Sequence, residues 1–155
     1  MNKTQILKSL LVELEGELRR QLAANEQASA GATHGEARAE TKWDTCGLEQ
    51  SYLARGHAQQ FAALVQQVEE LRAFVPFAFS GRPIHVGALV EVDLNGHKLI
   101  FFILRGGGGV ELDIEGCEVT VITPESPVGA SLLDKKEGDD FSFRSGSVGK
   151  ILSVK

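Results

Sequence analysis

Glu36, Glu40 and Asp44 recur at i, i+4 and i+8, a spacing that lines three carboxylates along one face of a helix. Carboxylate oxygens are hard ligands suited to Mg²⁺. In a phosphoryl-transfer site, metal ions stabilise the attacking and leaving oxygens. Carboxylates carried at the end of a projection can deliver ligands to a Mg²⁺ held elsewhere, lending capacity to another protein's active site. The plain alternative for the same three residues is a solvated helix face.

Other residues with chemical potential lead nowhere so specific. Arg105-Gly106-Gly107-Gly108-Gly109 invites comparison with a phosphate loop, which needs Gly-Lys-Ser/Thr at fixed spacing and a helix behind it. Here Val110-Glu111-Leu112-Asp113 follows, alternating like a strand and acidic where phosphate would sit. The run reads as a turn between strands. His34, His57, His85 and His97 show no metal-binding spacing, so the chain is expected to hold no metal of its own. No Ser or Cys has an evident base partner, and a self-sufficient hydrolase finds no support. Cys46 and Cys117 form no Cys-x-x-Cys pair and read as free thiols in a reducing compartment.

The elements that would position these residues fall into two kinds. Leu7, Leu11, Leu14 and Leu18 are spaced 4, 3, 4, with Ile6, Leu10 and Leu22 widening the stripe. Phe61, Leu64, Val68, Leu71 and Val75 are spaced 3, 4, 3, 4. Two such seams within residues 4–74 predict an antiparallel helical hairpin, a short coiled coil. Ala28–Gly35 suits the bend, and two starts fit the second helix, Glu36 or Thr45 with Asp44-Thr45 as cap. Past Phe74 the period changes. Pro76 and Pro83 bracket a linker, and β-type runs follow at 88–94, 98–104, 117–122, 141–143 and 148–154. Asn95-Gly96 marks a tight hairpin. Ser126 with Pro127 at the first helical position starts a short helix. The expected fold is α+β: residues 1–75 a helical hairpin, 76–83 a linker, and 84–155 an antiparallel sheet of four or five strands with one short helix.

Composition narrows the function classes. With 155 residues and 43% hydrophobic, the chain can bury a core. The net charge of -5 is shared, 8 basic against 10 acidic residues up to Phe74 and 8 against 11 after it. Neither half is a basic module, so nonspecific duplex binding and sequence-specific DNA binding are not expected. No apolar run approaches the ~20 residues of a membrane span. Nothing at the N-terminus resembles a signal peptide, and a cytoplasmic protein without membrane attachment is expected.

One segment carries a resemblance. Ser126-Pro127-Val128-Gly129, then Leu132-Leu133, Lys135 and Gly138-Asp139, resembles the closing segment of the bacterial Gre-type (GreA/GreB) transcript-cleavage factors. Glu40 through Arg55 likewise resembles the start of their second hairpin helix. The resemblance implies an FKBP-like C-terminal domain that docks on RNA polymerase at the entrance of its secondary channel. It also implies a coiled coil inserted through that channel, in indirect contact with nascent RNA. Docking passes by resemblance to Glu125, Ser126, Pro127 and Gly129. In the family, a tip Asp and a Glu three residues later assist cleavage of backtracked RNA with Mg²⁺ in the polymerase active site.

The tip departs from that pattern. Placing Glu36 on the family's Asp puts Ala39 on its Glu, and placing Glu40 on the Glu puts Ala37 on the Asp. Glu40 and Asp44 are the substitutes, with Glu36 third. Cleavage stimulation, in which the protein is at most an accessory to the polymerase's own chemistry, therefore stands beside a non-cleaving competitor for the channel. A prolyl isomerase would need a pocket lined by Tyr, Trp and Phe. Residues after Phe74 supply phenylalanines but neither Trp nor Tyr, and several of those fall at core positions of strands. A coiled-coil adaptor unconnected with transcription is the last alternative.

Overall fold

The computed structural model describes residues 1–32, 45–144 and 147–155. It is an α+β protein: helices α1 (Lys3–Ala32) and α2 (Thr45–Ala73), then strands β1 (Leu89–Leu94), β2 (His97–Ile103), β3 (Glu111–Ile114) and β4 (Cys117–Ile122), helix α3 (Pro127–Leu132), and strands β5 (Asp140–Arg144) and β6 (Ser147–Val154). Asn2 starts α1, its side-chain oxygen accepting from the Thr4 amide at 2.9 Å. α2 stops before Pro76, whose ring disfavours helical geometry at the preceding residue. Val75 therefore lies past the second seam and is exposed, whereas Val68 and Leu71 are buried. α1 and α2 run antiparallel, with Arg72 near the end of α2 bonded to Glu15 in α1 at 2.8 Å. That pair is largely solvated and contributes little to stability. A start of the second helix ahead of Thr45 falls outside the described residues.

The sheet has six strands in the order β3-β4-β2-β1-β6-β5. The expected antiparallel sheet of four or five strands is corrected in two respects. β3 adds a strand, and β2 pairs with β4 in parallel through Phe101↔Thr120, Phe102↔Val121 and Ile103↔Ile122. The cause is a second tight turn. Glu115 and Gly116 take φ of 57° and 78°, matching the 54° and 85° of Asn95 and Gly96. In each turn an aspartate accepts from the glycine amide three residues on, Asp93 from Gly96 at 2.8 Å and Asp113 from Gly116 at 2.9 Å. The chain leaves β2, reaches the sheet edge as β3, and returns as β4 beside β2.

Alternation along the strands builds a core on each face. On one face Leu89, Phe102, Leu104, Leu112, Val119 and Val121 pack with Ile6, Leu7, Leu10 and Leu14 of α1 and Val68 and Leu71 of α2. On the other, Val90, Val92, Phe101, Ile103 and Ile151 pack with Leu132 of α3 and with Phe79 and Ile84. The continuous apolar run of β2 is thus a strand buried on both sides.

Lys3 ties the base of the hairpin to the segment that follows α2. Its ammonium donates to the Phe77 carbonyl at 2.6 Å and the Gly87 carbonyl at 2.7 Å, and lies 4.7 Å from the centre of the Phe79 ring. Burial lowers its pKa from 10.5 to about 8. The two carbonyl oxygens and the ring offset part of that desolvation. Between those pH values the unfolded chain holds the proton more tightly, so this group's contribution to stability grows as pH rises through that window. Lys3→Met strands two acceptors and is expected to cost about 1–3 kcal/mol in urea unfolding at pH 7. The deficit relative to the parent should widen between pH 8 and 10.

Candidate functional site

The segment after β4 is shaped by short-range bonds that its residue types dictate. Ser126 caps α3: its Oγ accepts from the Gly129 amide at 3.0 Å and donates to the Thr123 carbonyl at 2.7 Å. Pro127 occupies the start of the helix, where no amide donor is needed. Gly129 is forced by space, since a Cβ there would overlap the Thr123 carbonyl oxygen. Leu132, fully buried, anchors α3 to the sheet.

The charged turn beyond α3 is equally determined. The Asp134 amide donates to the Ile84 carbonyl at 3.0 Å, and the Ile84 amide to the Lys135 carbonyl at 2.8 Å. Asp139 Oδ2 accepts from the Lys136 amide at 2.7 Å. The Gly138 amide donates to the Ile151 carbonyl at 2.9 Å, with Gly138 at φ +90°. The Gly138-Asp139 step is therefore a clasp that returns the chain to the sheet beside β6.

The four residues expected to dock divide into two pairs. Glu125 and Pro127 are exposed, Ser126 is half-buried and Gly129 is buried. Glu125 and Pro127 form the surface of the elbow between β4 and α3, while Ser126 and Gly129 set its shape. The remaining candidates, Glu36, Glu40 and Asp44, lie outside the described residues, as does His34. Among the described residues no group of three or more His, Cys, Asp or Glu could hold a metal ion. His57, His85 and His97 are exposed and dispersed. Cys117 is free and exposed, and the side chain of Cys46 lies outside the described set. No helix among the described residues is long and apolar enough to cross a membrane.

The glycine run precedes β3, as its alternation predicts, rather than a helix. An open cleft of about 550 Å³ separates it from α3, with Leu14 and Gln67 of the hairpin on one side and Thr123 and Ser126 on the other. No aromatic residue lines it. A second groove, beside α3 and β5, has Phe141 as its aromatic residue. Phe79, Phe101, Phe102 and Phe141 are core residues, and neither of these two clefts is walled by several aromatic rings. Sequence reasoning missed Lys3 and the Thr123 carbonyl. Both act through partners far away in sequence or through backbone atoms, and neither leaves a residue-type signature.

No family model matches the chain, and no curated protein does. Solved structures that match include one of the transcription factor Gfh1, 21% identical at a TM-score of 0.40, covering 95% of this chain and 94% of that one. GreA factor homolog 1 (Gfh1) of Thermus thermophilus is 18% identical at a TM-score of 0.39, covering 96% and 94%. Gfh1 of Thermus aquaticus is 19% identical at a TM-score of 0.40, covering 95% and 92%.

Proposed function

We propose that the protein is a regulator of transcription elongation that docks on RNA polymerase through the elbow at Glu125, Ser126, Pro127 and Gly129. The helical hairpin then enters the polymerase secondary channel. The observation that carries this reading is the elbow itself. Its order of residues matches the Gre closing segment, and each matched position has a definite structural role, with a cap at Ser126, a helix start at Pro127, a steric requirement at Gly129 and a clasp at Gly138-Asp139. Such a segment presents Glu125 and Pro127 at fixed positions, as a recognition surface requires. The protein's own contribution to RNA cleavage would come from Glu40, Asp44 and Glu36, acting on Mg²⁺ in the polymerase active site.

Co-elution with core RNA polymerase at low salt tests docking. Glu125→Arg with Pro127→Ala, both exposed, should weaken binding at least tenfold, equal to about 1.4 kcal/mol, without lowering thermal stability. Failure of the parent to co-elute would leave the coiled-coil adaptor as the better account. A stalled, backtracked elongation complex with Mg²⁺ then separates the two polymerase readings. Shortened RNA that disappears with Glu40→Ala, Asp44→Ala assigns cleavage. Binding without any shortened RNA at saturating protein assigns occupancy of the channel alone.

A further inference from the structure

We infer that the Gly106-Gly107 step is the seat that sets the direction of the helical hairpin relative to α3, with Leu10 and Gln67 as its positioning residues. The inference rests on the proposed function in one respect, that the far end of the hairpin is its working end.

Each helix of the hairpin sends one side chain to this step. A Cβ at Gly106 would meet Gln67 Cβ at 3.1 Å and Cγ at 3.2 Å. A Cβ at Gly107 would meet Leu10 Cδ1 at 2.9 Å and Cδ2 at 3.1 Å, and Gly107 also takes φ +75°. Gln67 Oε1 accepts from the Gly107 amide at 3.3 Å. Two bare backbone positions thus admit a leucine from α1 and a glutamine from α2 at one place.

A single contact point would be a pivot. Here a second anchor lies at the base of the hairpin, where Lys3 grips the Phe77 and Gly87 carbonyls. Phe74 closes on Gly87 there, its ring 2.8 Å from where a Cβ would stand. A third is the core itself, where Ile6, Leu7 and Leu14 of α1 are buried in one cluster with Leu112 and Val119 of the sheet. Three separated anchors leave a rigid rod no free rotation. The leverage is large: from Leu10 to Ala32, α1 extends about 33 Å at 1.5 Å per residue. A tilt of about 10° at the seat moves that end by roughly 6 Å on the same rise. Displacements of even about 1 Å at a reacting centre can cost on the order of 100-fold in rate. The seat thus couples an elbow at one end to an action at the other.

Spin-label distances test this without polymerase. Labels at Leu22→Cys on α1 and Lys150→Cys on β6, in a Cys46→Ser, Cys117→Ser background, should give one narrow distribution in the parent. Gly107→Val, which fills the seat, should shift or broaden it by about 5 Å or more. Gln67→Ala keeps the helix and the apolar core, so it serves where Gly107→Val fails to fold, and a broadened distribution is expected again. Distances indistinguishable from the parent in the folded variants overturn the inference. Polymerase assays on the same variants should show binding within about threefold of the parent and at least a tenfold smaller effect on elongation. A parent that does not bind polymerase defeats the proposed function, while the distance measurement still decides the seat.

Discussion

Gly129→Ala should lose the elbow. The added methyl would overlap the Thr123 carbonyl oxygen and stand 2.9 Å from the Ser126 hydroxyl that caps α3. The obstructing atom belongs to the backbone just after β4, so no rotamer change relieves it. Overpacking of this kind costs about 1–3 kcal/mol, occasionally more, and the fixed position of a carbonyl favours the upper end. Displacing Ser126 would forfeit the cap as well, typically about 1 kcal/mol. Urea unfolding should show the combined loss, and amide exchange should quicken first in residues 126–133. Because Gly129 is buried, any loss of polymerase binding in this variant would reflect shape rather than a missing contact. Ser126→Ala provides the milder comparison, about 1 kcal/mol, through removal of the cap alone. A Gly129→Ala protein as stable as the parent, with unchanged exchange at α3, would show that the elbow has room the geometry denies.

What the sequence revealed followed the range of each physical signal. Heptad spacing exposed both helices, because the period of an amphipathic face is local. Asn95-Gly96 and Ser126-Pro127 declared a turn and a helix start through short-range sterics and capping. β3 was harder to read. Its Leu112 and Ile114 alternate correctly, but the Glu115-Gly116 turn has a glutamate at a left-handed position usually taken by Asn, Asp or Gly. The parallel β2–β4 pair followed from that omission, since only an added strand lets the chain return beside β2. Phe79 illustrates another limit. Between Pro76 and Pro83 it reads as linker, yet it is buried with Ile84 under the sheet and stacks on Phe77. Its partners lie in strands that sequence proximity does not reveal. At the elbow the residue types were legible, and the division into a presenting pair and a shaping pair required the fold.

Leu10→Ala is expected to destabilise the hairpin and the sheet together. Leu10 is fully buried, in a cluster that includes Phe102 and Val121 of the sheet, Leu104 just past β2 and Leu71 of α2. Removing a buried leucine to Ala costs about 2–5 kcal/mol, and a site closed in on several sides relaxes poorly into the space left behind. The cost should appear in both elements because the hairpin has little stability of its own. Its buried seam residues Leu7, Leu14, Val68 and Leu71 belong to the cluster shared with the sheet, Leu11, Leu18 and Leu64 are only part-buried, and helices without tertiary packing are marginal in water. One cooperative transition, shifted to lower urea with helix and sheet signals coincident, is the expected result. Leu22→Ala, at a site 47% exposed, should change stability by no more than about 0.5 kcal/mol. If Leu10→Ala released the helices while the sheet melted as in the parent, the two parts would fold independently. The shared core argues the opposite.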